Sequence, residues 1–327
     1  AKRLFLLLEK LKKQGVAILY ISHRMSDISS VADRIVAMRD GTISGLFEEK
    51  PLNYEGAVTA MLGQKLSQSE IKINERKREI LNLKGVRLAS GSKPFDLSFF
   101  ENEIVSITGL IGSGKTTLAS QIFGLDPNSK VKMTLNGDAY KPKSPKEAIA
   151  AGVFMCPKDR ASNAVVSEFD ISNNLALPFL KRHSRLSFLR SKSLAQNARN
   201  SIDKLGIVCQ SEMDSVTTLS GGNQQKVMVG RWLAEESSVL LLDEPFQGVD
   251  IKARRDIGLQ IRSTSSQRAT LIFVAELDEA LEIADRVIVL HEGNLVGEYQ
   301  NKRKNIPEIV SSFSGSAYNQ GSSNYGT

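Results

Sequence analysis

Gly109-Leu110-Ile111-Gly112-Ser113-Gly114-Lys115-Thr116 satisfies the pattern G-x-x-x-x-G-K-[ST] at every fixed position. Ahead of it, Ile104–Thr108 reads as a strand; behind it, Thr116–Phe123 reads as a helix. This setting is what gives the pattern its meaning. Glycines let the backbone curl until successive N–H groups face one anion, and the positive end of the following helix adds to the field. Lys115 is placed to neutralise the β- and γ-phosphates of a nucleotide, and the Thr116 hydroxyl to ligate Mg²⁺.

Two later segments extend the theme. Val239-Leu-Leu-Leu-Asp243-Glu244 is a solid apolar run closed by two acids. Such a run is predicted to be a strand buried on both faces of a parallel sheet, with the acids in the crevice at its carboxyl end. Asp243 is then placed to hold the cation's shell, and Glu244 to orient or polarise an attacking water. Leu219-Ser220-Gly221-Gly222-Asn223-Gln224-Gln225-Lys226 reads as a Ser-capped helix running to Ala234. Its glycines would allow close backbone approach to a second phosphate, although an ordinary capped helix has the same local pattern.

The remainder of the 327 residues sets bounds. At roughly 150 residues per domain the length suggests two domains. With 41% hydrophobic and 24% charged residues, the chain is neither fibrous nor disordered. No apolar stretch approaches the ~18–20 residues of a membrane helix. Cys156 and Cys209 make no disulfide framework and have no zinc-like spacing. The net charge of +7 concentrates in Lys72–Arg78 and Lys181–Arg199, read as a solvated linker and a solvated helix face. Without interleaved aromatics they do not make a nucleic-acid platform.

The chain also repeats itself. Ala17–Gly45 aligns with Ala269–Gly297 at an offset of 252 without gaps, with Ala32-Asp33-Arg34 matching Ala284-Asp285-Arg286 and Gly41 matching Gly293. A strand (Ile18–Ser22 in the first copy), a short helix, a second strand and a Gly turn are predicted twice. The first copy has almost nothing in front of it. Gly63–Arg78 is polar, and Ser311–Thr327 is rich in Ser, Gly and Asn and is expected to be disordered.

Taken together, the phosphate loop, LSGGNQQKV, VLLLDEP and Gly248-Val-Asp250 resemble the ATP-binding cassette ATPases of bacterial sugar importers, which carry two cassettes in one chain. The likeness covers all but the last dozen or so residues. It implies an α/β P-loop fold: a mostly parallel core sheet, an antiparallel β portion near Ile80–Phe100, and a helical signature subdomain over about 172–218. It implies a remnant of a first cassette over 1–63, a linker over 64–79, a complete second cassette over 80–314 and a disordered tail over 315–327. An intact chain of about 500 residues would then lack its N-terminal part here.

The resemblance also implies roles. Residues Gly109, Leu110, Ile111, Gly112, Ser113, Gly114, Lys115, Thr116 and Thr117 would bind ATP, with Thr116 and Asp243 on Mg²⁺ and Glu244 as the catalytic carboxylate. Ser220, Gly221 and Gly222 would contact the γ-phosphate held by the opposite cassette of a head-to-tail pair, with Asp250 in the loop crossing between them. His23 would be a switch histidine of the first cassette; its counterpart in the second is Ala275. The implied activity is ATP hydrolysis that powers monosaccharide import. The expected partners are membrane permease subunits and, indirectly, a sugar-binding protein, at the cytoplasmic face of the inner membrane. A soluble ATPase acting on nucleic acid or ribosomes and a weakly hydrolysing regulatory subunit are the alternatives. Two departures stand out: Lys158 in Pro157-Lys-Asp-Arg160, where such cassettes carry an acid, and the lack of an aromatic ahead of the loop for adenine to stack on.

Overall fold

The computed structural model describes residues 2–21, 28, 31–39, 41–50, 52–53, 56–57, 60, 73–110, 112–159, 164–185, 188–302, 305, 308–309 and 312. These fall into two compact units, residues 1–70 with 250–252, and residues 71–249 with 253–327.

In the first unit, helix α1 (Lys2–Lys13) precedes a hairpin of β1 (Ile35–Arg39) and β2 (Thr42–Phe47). Its core is small: Ile35, Leu52 and Ala57, with Ile28, Ala32 and Phe47 against them. Asp33 pairs with Lys12 at 2.7 Å. The strand expected from Ile18 is absent from the described residues 18–21. Leu19 and Ile21 are left 89% and 90% exposed.

The second unit runs β3 (Glu79–Val86), β4 (Phe95–Phe100), β5 (Glu103–Thr108), α2 (Lys115–Ile122), β6 (Lys132–Leu135), β7 (Asp138–Tyr140), α3 (Pro145–Ala150) and β8 (Val153–Cys156). It continues with α4 (Ile171–Ala176), a 3₁₀ segment (Leu177–His183), a two-residue strand pair β9 (Ser184–Arg185) and β10 (Phe188–Leu189), and α5 (Ser191–Leu205). The last elements are α6 (Gly221–Leu233), β11 (Val239–Asp243), α7 (Ile251–Ser263), β12 (Ala269–Val274), α8 (Leu277–Ile283), β13 (Arg286–His291) and β14 (Asn294–Gln300).

A six-stranded sheet has the order β14-β13-β5-β12-β11-β8, parallel except for β14. A four-stranded antiparallel sheet, β4-β3-β6-β7, reaches Tyr140, well past the expected limit at Phe100. Its second half comes from pairing across the phosphate-loop helix, which alternation within a short window does not reveal. Side chains of β5 alternate between two cores. Val105 and Ile107 pack with Leu81, Phe99 and Leu118 toward the antiparallel sheet; Ile104 packs with Phe154, Leu242 and Trp232 on the other face. A third cluster, Ile171, Leu175, Ala198, Leu205, Val216 and Val227, holds α4 and α5 against α6.

The two hairpins repeat residue for residue. Ile35 pairs with Phe47 and Val287 with Tyr299; Ala37 pairs with Gly45 and Val289 with Gly297. The bulge at Ala37/Met38 recurs at Val289/Leu290, and the turns close on Gly41 (φ 77°) and Gly293 (φ 79°). In the described part of the expected linker residues 75–78 are exposed, yet the segment is also held by contacts: Asn74 N donates to Asp285 at 3.0 Å, and Arg76 pairs with Glu103 at 2.6 Å. The expected tail, 315–327, lies outside the described residues.

Candidate functional site

The loop after β5 is shaped by close contacts. At Gly109 (φ 155°) a Cβ would lie 2.1 Å from the Leu290 carbonyl oxygen, so only glycine fits against the end of β13. Ser113 N donates to Leu110 O at 3.1 Å, and Gly293 N donates to Ser113 O at 3.1 Å, fastening the loop to the β13–β14 turn. Lys115, 7% exposed, donates its ammonium to the Gly109 carbonyl, so the lysine folds back over its own loop. Burial pushes its pKa down; the charge of Glu244 opposes that most.

The acids close the opposite wall. Asp243 ends β11, and its Oδ2 accepts from the Thr116 hydroxyl at 3.4 Å. Burial, then the neighbouring Glu244, pushes the Asp243 pKa up to about 6, while Lys158, Thr116 and Lys115 favour the ionised form. Glu244 has φ 50°, a left-handed conformation uncommon for a side chain of this size. Its N–H donates to Phe273 O at 2.8 Å, its Oε2 accepts from Ala275 N at 3.2 Å, and its carbonyl accepts from Gln247 N at 3.1 Å. These bonds over-determine the strained turn and aim the carboxylate back across the sheet end.

Between loop and acids lies a cavity of about 210 Å³, lined by Leu88, Leu110, Gly112, Ser113, Gly114, Lys115, Thr116, Thr117, Lys158, Glu244 and Ala275. Gly109 sits beneath it, and Asp243 reaches it through Thr116. Ile111 and His23 lie outside the described residues. Ser220, Gly221 and Gly222 do not line this cavity. Ser220 is exposed and caps α6, accepting from Asn223 N at 3.4 Å. That helix is tied to the turn after the acids and to α7: Gln225 Nε2 donates to Pro245 O at 2.9 Å, and Lys226 reaches Asp256 at 2.9 Å. Asp250 is exposed just ahead of α7.

Sequence reasoning missed Leu88, whose side chain lies against Gly114 and forms an apolar wall; no local pattern marks it. It noted Lys158 as a departure without placing it in the cavity, and Ala275 as the counterpart of a switch histidine; both line the cavity.

Among the described residues no group of three or more His, Cys, Asp and Glu could hold a metal ion alone. Asp243 Oδ1 and Ser113 Oγ are buried without a hydrogen-bond partner. The oxygens of Asp243 and Thr116 suit a hard divalent cation that completes its shell with phosphate and water. The arrangement can therefore take a polyphosphate with such a cation.

Residues 92–247 match the family model described as ABC transporter. Over 317 residues the chain is 34% identical to a ribose import ATP-binding protein of Rubrobacter xylanophilus, covering 96% of this chain and 61% of that one. It is 33% identical to a galactose/methyl galactoside import ATP-binding protein of Fusobacterium nucleatum (94% and 62%). It is 34% identical to an arabinose import ATP-binding protein of Pectobacterium atrosepticum (91% and 59%). The chain thus spans about three fifths of the length of these relatives. A nucleotide-free ATP-binding cassette from an ABC transporter superposes with a TM-score of 0.61 at 19% identity, covering 72% of this chain and 96% of that one. A dimeric cassette in a post-hydrolysis state with ADP and Pi gives 0.58 at 20% (68% and 99%). The fold is that of these cassettes, α/β with a P-loop.

Proposed function

We propose that this chain belongs to the ABC transporter family, whose model matches residues 92–247, and is an ATP-binding and hydrolysing subunit that powers import of a monosaccharide or similar small polar ligand through a membrane permease. The observation that carries this is the cavity in which Lys115 and Thr116 meet a conformationally locked Glu244. The loop from Gly109 to Thr117 binds the phosphates of ATP. Lys115 is already desolvated, so its charge acts at low local dielectric. Thr116 and Asp243 would hold Mg²⁺, which would neutralise phosphate charge when bound. Glu244, held by the Ala275 N–H, orients the attacking water.

The residues from about 80 to 314 form a complete second cassette, preceded by the end of a first over 1–63 and a linker over 64–79. The matching hairpin registers at an offset of 252 and the greater length of the relatives support this. Ser220–Gly222 serve the γ-phosphate of an opposing cassette, with Asp250 near the crossing. The exposure of Ser220 and Asp250, and the absence of Ser220–Gly222 from this chain's own cavity, support that reading. His23 serves the first cassette's site. The protein sits peripherally at the cytoplasmic face of the inner membrane. No helix among the described residues is long and apolar enough to cross a membrane. A sugar-binding protein delivers the cargo. Within the basic stretch 181–199, Arg182 pairs with Glu235 and Arg199 with Glu212.

Glu244→Gln tests the assignment. ATP binding should persist while hydrolysis, measured with permease-containing membranes, falls by about 10²-fold or more. Turnover at the wild-type rate would remove Glu244 from the chemistry. Vigorous hydrolysis by a strictly monomeric chain would remove the composite site.

A further inference from the structure

We propose that Lys158 is a built-in counter-cation for the nucleotide's phosphates, so that this site binds ATP with little dependence on a divalent cation; the inference rests on reading the cavity as a nucleotide site.

Lys158 follows the buried strand β8, whose carboxyl end lies beside that of β11, and Pro157 leads the chain directly from the strand to it. Its side chain lines the cavity together with Lys115, Thr116, Glu244 and Ala275. The two lysines differ in state. Lys115 is engaged by the Gly109 carbonyl. Lys158 is exposed and makes no hydrogen bond or ion pair among the described residues. Its charge is nonetheless felt in the site. Burial is the main influence on both Lys115 and Asp243; Lys158 adds to the downward push on the lysine and opposes the upward push on the acid.

Charge balance gives this a consequence. A site with Asp243, Glu244 and one lysine is net negative before a polyanion arrives, and a divalent cation is needed to offset the repulsion. With Lys158 the four side chains sum to zero. An ammonium on a flexible stem is a point charge that can follow the outer phosphate oxygens without fixed geometry. Ala275, with no polar side-chain atom, offers nothing that competes for them.

Titration calorimetry of ATP into the full chain, in excess Mg²⁺ and in excess EDTA, tests the idea. The wild type should lose less than about threefold in affinity on removing Mg²⁺, and Lys158→Glu more than about tenfold. Lys158→Arg should behave as wild type. Lys115→Ala should bind poorly in both conditions. Unchanged Trp232 emission in each variant assigns any loss to the site rather than to the fold. Equal Mg²⁺ dependence in wild type and Lys158→Glu, with Lys115→Ala still impaired, overturns the role of Lys158 and leaves the nucleotide site standing. Wild-type binding by Lys115→Ala overturns both.

Discussion

Replacing Arg286 by Met should destabilise the second unit by about 3 kcal/mol. Arg286 opens β13 with its side chain 3% exposed. Its guanidinium donates to Glu103 Oε1 at 2.9 Å and Oε2 at 2.7 Å, to Ser98 O at 2.7 Å and to Glu298 at 2.6 Å. It also lies 5.6 Å from the Phe99 ring centre. Methionine retains the stem and deletes the fork. Glu103, 1% exposed, then keeps only Arg76 as a charged partner, and that side chain is 35% exposed. Breaking a buried pair from one side costs about 3–5 kcal/mol, and the remaining Arg76 contact sets the lower end. Trp232 reports the loss. It is the only tryptophan, 6% exposed, with its ring centre 5.8 and 5.9 Å from those of Phe154 and Phe179. With a urea m-value of about 3 kcal/mol/M, the midpoint should fall by about 1 M. Adding Glu103→Leu should restore all but about 1–2 kcal/mol, because no unpaired charge stays buried. A shift below about 0.5 kcal/mol at unchanged m would refute the reasoning, since Arg76 alone would then satisfy Glu103.

Gly109→Ala forces a Cβ against the Leu290 carbonyl and should cost about 3 kcal/mol or more along with nucleotide binding, whereas Gly112→Ala (φ 85°, nothing within 4 Å) should cost about 1–2 kcal/mol. Equal losses in the same urea titration would mean that the contact at Gly109 relaxes freely. Burial pushes the Cys156 thiol up to about 12, so its alkylation should stay negligible from pH 7 to 9. Cys209, raised first by burial and then by Asp214 and Glu212, should label slowly and faster as pH rises; two labels per native chain by mass spectrometry would contradict this. On the proposed function, Ala275→His should raise ATP hydrolysis at this cavity by about tenfold, by placing a donor in the wall beside Glu244. A phosphate-release assay showing no gain would mean that the missing imidazole does not limit this site.

The chemistry-bearing segments were legible because each is written in neighbouring residues. Gly109–Thr116 specifies a turn and a helix start, Val239–Asp243 a strand buried on both faces, and Ser220 a cap. The repeat at 252 was equally legible, and its two copies adopt one hairpin register because the alternation and the Gly turn that set register are local. What the chain could not declare locally is what distant segments do to one another. Residues 18–21 carry the pattern of β12 and are not in a strand, because a local pattern does not decide which segments are brought side by side. The run at 73–78 reads as a solvated linker, and residues 75–78 are exposed, but nothing local announces that Arg76 and Asn74 reach Glu103 and Asp285. Lys158 was visible only as a departure and Ala275 only as the counterpart of a histidine; the order β12-β11-β8 brings both to the wall of one cavity. By itself the sequence determined which groups this site possesses. Only the tertiary structure decided which of them face each other, because pairing in a parallel sheet joins segments that no local preference connects.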